Sequence, residues 1–211
     1  GPTSDLDLRG FFFLTPEQFF GLHEQPQQYD CNENKIDAVV WEYRKFVRLA
    51  AQCNPNVVEC LFTDPSDIQV NRGYEYSSLR FIAHDFLSKK AEMSFGGYAR
   101  QQFLKLAKNF DKWEDPRVRK DAMHCARLIF FAKEILETGT LTVRVSPEKR
   151  AFLMDIRNGT SKAIATYLWA EKQFEELKVV AANSTLPTEP NWDKINAHVQ
   201  TTLMEFYNGK D

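Results

Sequence analysis

From residue 74 to residue 207 the apolar residues of this chain recur three and four positions apart, whereas the earlier segments alternate or come in short apolar runs. That change of period asks for two kinds of element within 211 residues: a small sheet first, then a set of helices. The expected class is α+β, with a sheet-rich part over residues 1–80 and a helical part over 81–211, and a cleft able to span the boundary. A hydrophobic share of 43% is enough for a substantial core. Nine Gly and nine Pro, with Phe spread along the chain, exclude a low-complexity or collagen-like sequence.

Residues 6–14 read as a strand that opens on alternating acid and leucine, pauses at Arg9-Gly10 and ends in the core anchor Phe11-Phe12-Phe13. A short helix over 15–22 follows, because Thr15 can cap it, Pro16 takes the first helical position and Glu17 suits the first turn. Residues 24–34 read as a loop, 35–40 as a second strand, and 41–52 as a helix whose inner stripe holds Phe46, Leu49, Ala50 and Cys53. Asn54-Pro55-Asn56 ends that helix, 57–62 reads as a third strand, and 63–72 as a loop with room for one more short strand. Helices are expected at 75–88, 94–109, 116–138, 147–157, 160–180 and 192–207. Gly139 is the expected C-cap of the third of these, and 140–145 alternates well enough for a short extra strand.

The formal charge of -2, from 27 basic and 29 acidic residues, removes any overall field for long nucleic acid and argues against a broad duplex-DNA surface; a local basic patch is compatible with it. Cys31, Cys53, Cys60 and Cys125 show no CxxC spacing and read as free thiols in a reducing compartment. No stretch approaches the roughly 18 apolar residues of a membrane span, and no secretion signal precedes the first charges, so cytoplasm is the expected location.

Asp5 and Asp7 stand at i and i+2, so a strand sends both carboxylates to one side, with Leu6 and Leu8 expected to point into the core. Such a pair can clamp hard divalent cations, although surface strands also alternate acids and leucines for solubility alone. A third carboxylate would complete the ion site. Asp37 is the best candidate, since an unpaired charge inside its apolar strand would be costly; Glu42 is its rival, and Glu59 is more remote. Outside such a site, Asp37 would pair with Lys35 or Arg44.

The combination of Ser4-Asp5-Leu6-Asp7-Leu8-Arg9-Gly10, Lys45-Phe46 and Asn54-Pro55-Asn56-Val57-Val58-Glu59 resembles a predicted nucleotidyltransferase family of the DNA polymerase beta superfamily. The likeness continues through Phe86-Leu87-Ser88-Lys89-Lys90, Phe95-Gly96-Gly97-Tyr98, then Lys120, His124 and Arg127, and Arg157-Asn158-Gly159. It implies a small mixed nucleotidyltransferase-type sheet and a two-metal site with Asp5, Asp7 and Asp37 as ligands and catalytic carboxylates, Glu59 remaining an alternative third acid. Mg2+ or Mn2+ is the implied cofactor and a nucleoside triphosphate the implied donor. The family's glycine-serine element lies upstream of Ser4, which leaves open whether the sheet part over 1–80 is shortened at its amino end and whether the chain is active by itself.

Around this centre, Ser4, Arg9, Lys45, Lys89, Lys90, Tyr98, His124 and Arg127 are the substrate-binding candidates. Arg9 is close enough along the strand to brace Asp7 or neutralise phosphate. Gly96-Gly97 permits a close turn from which Tyr98 can stack on a base, with Lys89, Lys90 and Arg100 flanking it. Lys120, His124 and Arg127 share one helical face. For each, the plain alternative is a structural or solvated side chain. The expected function is metal-dependent transfer of a nucleotidyl group to a hydroxyl of an RNA end, a small molecule or a protein; the alternative is a catalytically incomplete nucleotide-binding or protein-interaction module. A purely structural partner protein is the third class.

Overall fold

The computed structural model describes residues 6–33, 35–68 and 73–209. Among them are three strands, β1 (Leu6–Phe12), β2 (Gln28–Glu33) and β3 (Ile36–Glu42), in the order β1-β3-β2, with β3 parallel to β1 and antiparallel to β2. The helices are α1 (Pro16–Phe20), α2 (Tyr43–Ala51), α3 (Pro55–Phe62), α4 (Gly73–Phe81), α5 (Lys90–Lys108), α6 (Pro116–Thr138), α7 (Pro147–Asn158), α8 (Ala163–Asn183) and α9 (Trp192–Asn208). This is the α+β class, a small mixed sheet followed by helices.

The register puts Asp7 opposite Asp37, Arg9 opposite Val39 and Phe11 opposite Trp41. Alternation then places all six on one face, and Phe11, Val39 and Trp41 pack in the core beneath the sheet. The acids therefore sit on the core-facing side, beyond the end of the covered part, and Leu6 is 51% exposed rather than buried as expected. Leu8 is half-buried. Periodicity identifies a face but not which face the helices cover.

Three strand assignments change. Residues 28–33, expected as loop, form β2, an almost wholly exposed edge strand whose polar side chains carry no period; pairing with β3 alone makes it a strand. Residues 57–62, expected as a strand, are helical: the Asn54 side chain accepts from the Asn56 amide, Pro55 sits in the first turn, and Val57, Val58 and Leu61 are all buried. A short β-branched run bounded by Pro fits either element, and the cap decides it. Residues 140–145 are also not a strand; the Thr142 amide donates to the Glu134 carboxylate instead. The expected helix over 75–88 divides into α4 and a 3-10 turn at Ala83–Phe86, and Pro65–Asp67 forms another 3-10 turn. The remaining helices match their expected spans to within a few residues.

Gly96-Gly97 lies inside α5 rather than in a turn. A methyl group at position 96 would come within 3.2 Å of Leu177 Cδ2, so Gly96 marks where α5 and α8 pass closely, while position 97 faces open space.

The core has two clusters. One gathers the sheet face, α2, α3, α4 and α9; the other gathers α5, α6, α7 and α8 with Val58 of α3. Phe62 of α3 touches both. The last helix returns to the first strand: Phe206 stacks on Phe13 at 4.1 Å, and the Tyr207 hydroxyl donates to the Leu14 carbonyl at 3.0 Å. All four cysteines are unpaired, as expected, and no described helix is long and apolar enough to cross a membrane.

Two glycine substitutions should move stability in opposite directions. Gly97→Ala, in open space mid-helix, is expected to raise it by about 0.5–1 kcal/mol. Gly139→Ala, at a left-handed C-cap with φ 68, is expected to lower it by about 1 kcal/mol. Urea unfolding midpoints check both; a lower midpoint for Gly97→Ala would contradict the helical placement of the pair.

Candidate active site

The site begins at the Asp7–Asp37 rung. Neighbouring parallel strands run about 4.8 Å apart, so two carboxylates opposite one another on one face repel unless positive charge lies near. Arg9, two residues along β1, supplies it. Its guanidinium donates from Nη1 to the Asp37 carbonyl at 2.6 Å and to its own neighbour's carbonyl, Leu8, at 2.8 Å. Nη2 reaches Asp37 Oδ2 at 3.2 Å and stands 3.9 Å from Asp7 Oδ1. The Asp7 side chain is 72% exposed, that of Asp37 39% and that of Arg9 23%. The rung thus presents its carboxylates outward while the arginine is tucked beneath them. Asp37 pairs with neither Lys35 nor Arg44; Arg44 turns to Glu42 at 3.1 Å.

The helix α3, which packs against β1, carries Glu59. Arg127 Nη2, from α6, contacts both oxygens of Glu59 at 3.0 and 2.8 Å, linking helices from the two core clusters. Burial nevertheless raises the Glu59 carboxyl above its ordinary range, with the Arg127 charge and hydrogen bond acting the other way. The Cys60 thiol is pushed up to about 12, mainly by burial and secondly by the Glu59 charge, while Arg9 pulls it down. Cys60, next to Glu59 in the chain, is thus within reach of the Arg9 charge. The Tyr76 hydroxyl donates to the Cys60 carbonyl at 2.5 Å and holds this turn of α3. Glu42 serves the fold instead; it is 2% exposed and caps α2 by accepting from the Lys45 amide.

His124 and Arg127 occupy the same face of α6. Burial, then Arg127, lowers the His124 imidazole to about 4, so it is neutral at pH 7; Asp121 opposes that shift, and Lys120 and Lys105 reinforce it. Tyr98 on α5 accepts a hydrogen bond from Asn54 at 3.1 Å, which places its ring edge at the start of α3. Other basic candidates are directed elsewhere. Lys45 donates to Gln28, which pairs with Trp41 at the far end of β3 from Asp37. Lys90 pairs with Glu189 at 2.5 Å, and the backbone of Lys89 donates to the Pro187 carbonyl. Arg157 donates to the Pro116 carbonyl. Ser4 and Asp5 lie outside the described residues.

Among the described residues no group of three or more His, Cys, Asp or Glu is arranged to hold a metal. The donor chemistry of the rung itself suits a hard divalent ion, since carboxylate oxygens on one face are its usual ligands and this pair already draws in a cation, Arg9. The Glu59–Arg127 pair had no signal in the sequence, because its members are 68 residues apart; Glu59 stood out only through the Asn-Pro motif.

A family model described as "RNA repair pathway DNA polymerase beta family" (RlaP) matches residues 1–201. Neither the curated proteins nor the solved structures returned a match to this chain. With nearly its whole length covered, from the acidic strand through the Glu59–Arg127 pair to α9, the chain belongs to the RNA repair pathway DNA polymerase beta family.

Proposed function

We propose that this protein transfers a nucleotidyl group from a nucleoside triphosphate to a hydroxyl acceptor in a divalent-metal-dependent reaction. The observation that carries this is the direct opposition of Asp7 and Asp37 at the uncovered end of the sheet, in a chain of the polymerase beta type. Among acceptors, the family's link to an RNA repair pathway favours an RNA end over a small-molecule or protein hydroxyl.

Asp7 and Asp37, with Asp5 from the preceding residues of the same chain segment, would hold Mg2+ or Mn2+. A divalent ion there supplies charge neutralisation for the triphosphate and eases ionisation of the acceptor hydroxyl. The acceptor oxygen forms a bond to the α-phosphorus, the bond from that phosphorus to the bridging oxygen breaks, and pyrophosphate leaves. Asp37, the less exposed acid, is assigned to the acceptor side, where it takes the hydroxyl proton. Arg9 fixes the orientation of Asp37 through both its carbonyl and its carboxylate. Arg127 offers positive charge to phosphate, while neutral His124 offers a hydrogen bond without charge. Ser4 is assigned to the triphosphate and Tyr98 to a base. Lys89 is a further candidate for these contacts, and Lys45 and Lys90 are weaker ones, given their side-chain partners.

A second reading has one observation in its favour: the Arg9 guanidinium already neutralises the rung, as in a module that binds nucleotide without transferring it. Nucleotide incorporation onto an RNA 3′-hydroxyl separates the two. Asp7→Asn and Asp37→Asn are each expected to lower turnover by about 10³-fold, roughly 4 kcal/mol, with circular dichroism unchanged. Product formation should also stop in EDTA and return with Mg2+ or Mn2+. Triphosphate binding without any incorporation by the wild-type chain would select the binding module.

The His124 shift has a stability consequence. Its folded pKa of about 4 lies below the unfolded value of 6.5, so the unfolded chain holds an extra proton between those limits. Stability is expected to fall as pH drops from 6.5 towards 4. His124→Gln should flatten that fall by less than the one-proton limit of about 1.4 kcal/mol per pH unit, since the ring is partly solvated. Urea unfolding of both chains at intervals across this window checks it; equal slopes would place a water-exposed imidazole at position 124.

A further inference from the structure

Beyond the site, a cavity of about 520 Å³ between α6, α7 and α8 has its lysines already partnered: Lys133 bonds Gln173 and Glu176, and Lys149 pairs with Glu134. The α5–α6 pair differs. These helices pack along one another, and the face they share carries cations without acid partners. Lys105, Lys108, Lys112 and Lys120 are exposed, and among the described residues none of them makes an ion pair; Lys105 donates only to Gln102.

Lys105 and Lys120 share a surface with Arg127 around His124. The charges of Lys105 on α5 and of Lys120 and Arg127 on α6 all act on the same imidazole, His124. On α6 the residues Lys120, His124 and Arg127 follow one face at spacings of four and three. On α5, Tyr98 and Lys105 are two turns apart on one face. From Lys120 to Arg127 is a rise of about 10 Å, and Lys108 and Lys112 carry the positive charge further towards the α5–α6 connection. At its other end the surface reaches Glu59, through Arg127, and Asn54, through Tyr98, both belonging to the α3 segment, which packs against β1, the strand of Asp7. Asp121 is the acid whose charge reaches His124.

We propose that the α5–α6 face is the track for a single-stranded RNA acceptor, whose phosphates contact Lys105 and Lys120 while Arg127 and Tyr98 deliver its end to the acidic rung. Charge complementarity commits the face to a polyanion: a row of unpaired lysines interrupted by Asp111 and Asp121, on a chain of net charge -2, is a local strip rather than a general basic surface. An aromatic ring at the site end supplies the stacking plane that a strand of unpaired bases uses and a duplex does not. The proposal rests on the transfer reading for where the strand ends, but its binding test does not require transfer.

The double variant Lys105→Gln/Lys120→Gln changes only exposed side chains. Fluorescence anisotropy with an end-labelled single-stranded RNA 12-mer is expected to show the Kd raised about tenfold at 50 mM salt. The slope of log K against log salt should become shallower by about 1.4, the value for two phosphate contacts on a single strand. Nucleoside triphosphate binding, measured separately by calorimetry, should stay unchanged. Binding to phosphatidylserine vesicles is the control for another polyanion. Wild-type RNA affinity and salt slope in the variant would overturn the track even if transfer is confirmed, as would a loss confined to vesicles. RNA binding lost as predicted, with no incorporation by the wild-type chain, would leave the track standing and remove the transfer reading.

Discussion

One face of a single short strand has to meet two demands. At Phe11 it is packed into the core with Val39 and Trp41 of the neighbouring strand; two rungs earlier the same face carries Asp7 opposite Asp37. The helices cover the first part and stop short of the second. Were they to extend further, two carboxylates would be desolvated against one another, at a cost no single nearby cation offsets well. Were they to stop sooner, Phe11 and Trp41 would lose the burial, worth about 2–3 kcal/mol each, that fixes the register. Arg9 stands at the transition, with its charge under the acids and its stem against the covered part of the sheet.

The helix α3 is the second joint. It has no solvated face broad enough to show a clean period, because Val57 and Leu61 face the sheet cluster while Val58 faces the helical one and Phe62 touches both. The Glu59–Arg127 pair crosses between these clusters near the same place. Its Glu59 carboxylate is costly to bury, and the Arg127 contact offsets that cost only while the two helices keep their positions. The pair therefore senses the spacing of α3 and α6.

Long helices were legible by their period, and α6 and α7 carry punctuation as well: Asp115 and Pro116 open α6 and Gly139 closes it, Ser146 and Pro147 open α7 and Gly159 closes it. Short elements were not. β2 is a strand only because β3 offers it an edge, and no property of Gln28 to Glu33 announces that in isolation. α3 was hidden by the chemistry of its own residues, since Val-Val and Cys-Leu-Phe suit a strand until Asn54 caps them. The Gly96-Gly97 pair suggested a turn because glycine is usually read as backbone freedom; at Gly96 its use is the absence of a side chain where α8 crosses.

By itself the sequence determined the α+β class, the order and limits of the long helices, the identity of the acidic strand and the family whose motifs it carries. These are local properties, set by periodicity, caps and residue type within a few positions. Only the tertiary structure decided that Asp37 faces Asp7, that Arg9 rather than Lys35 or Arg44 holds it, that Lys45 lies at the other end of the sheet, and that Glu59 is bound to Arg127. Those are consequences of strand register and helix placement, which depend on what each face buries against and so cannot be expressed in any one segment.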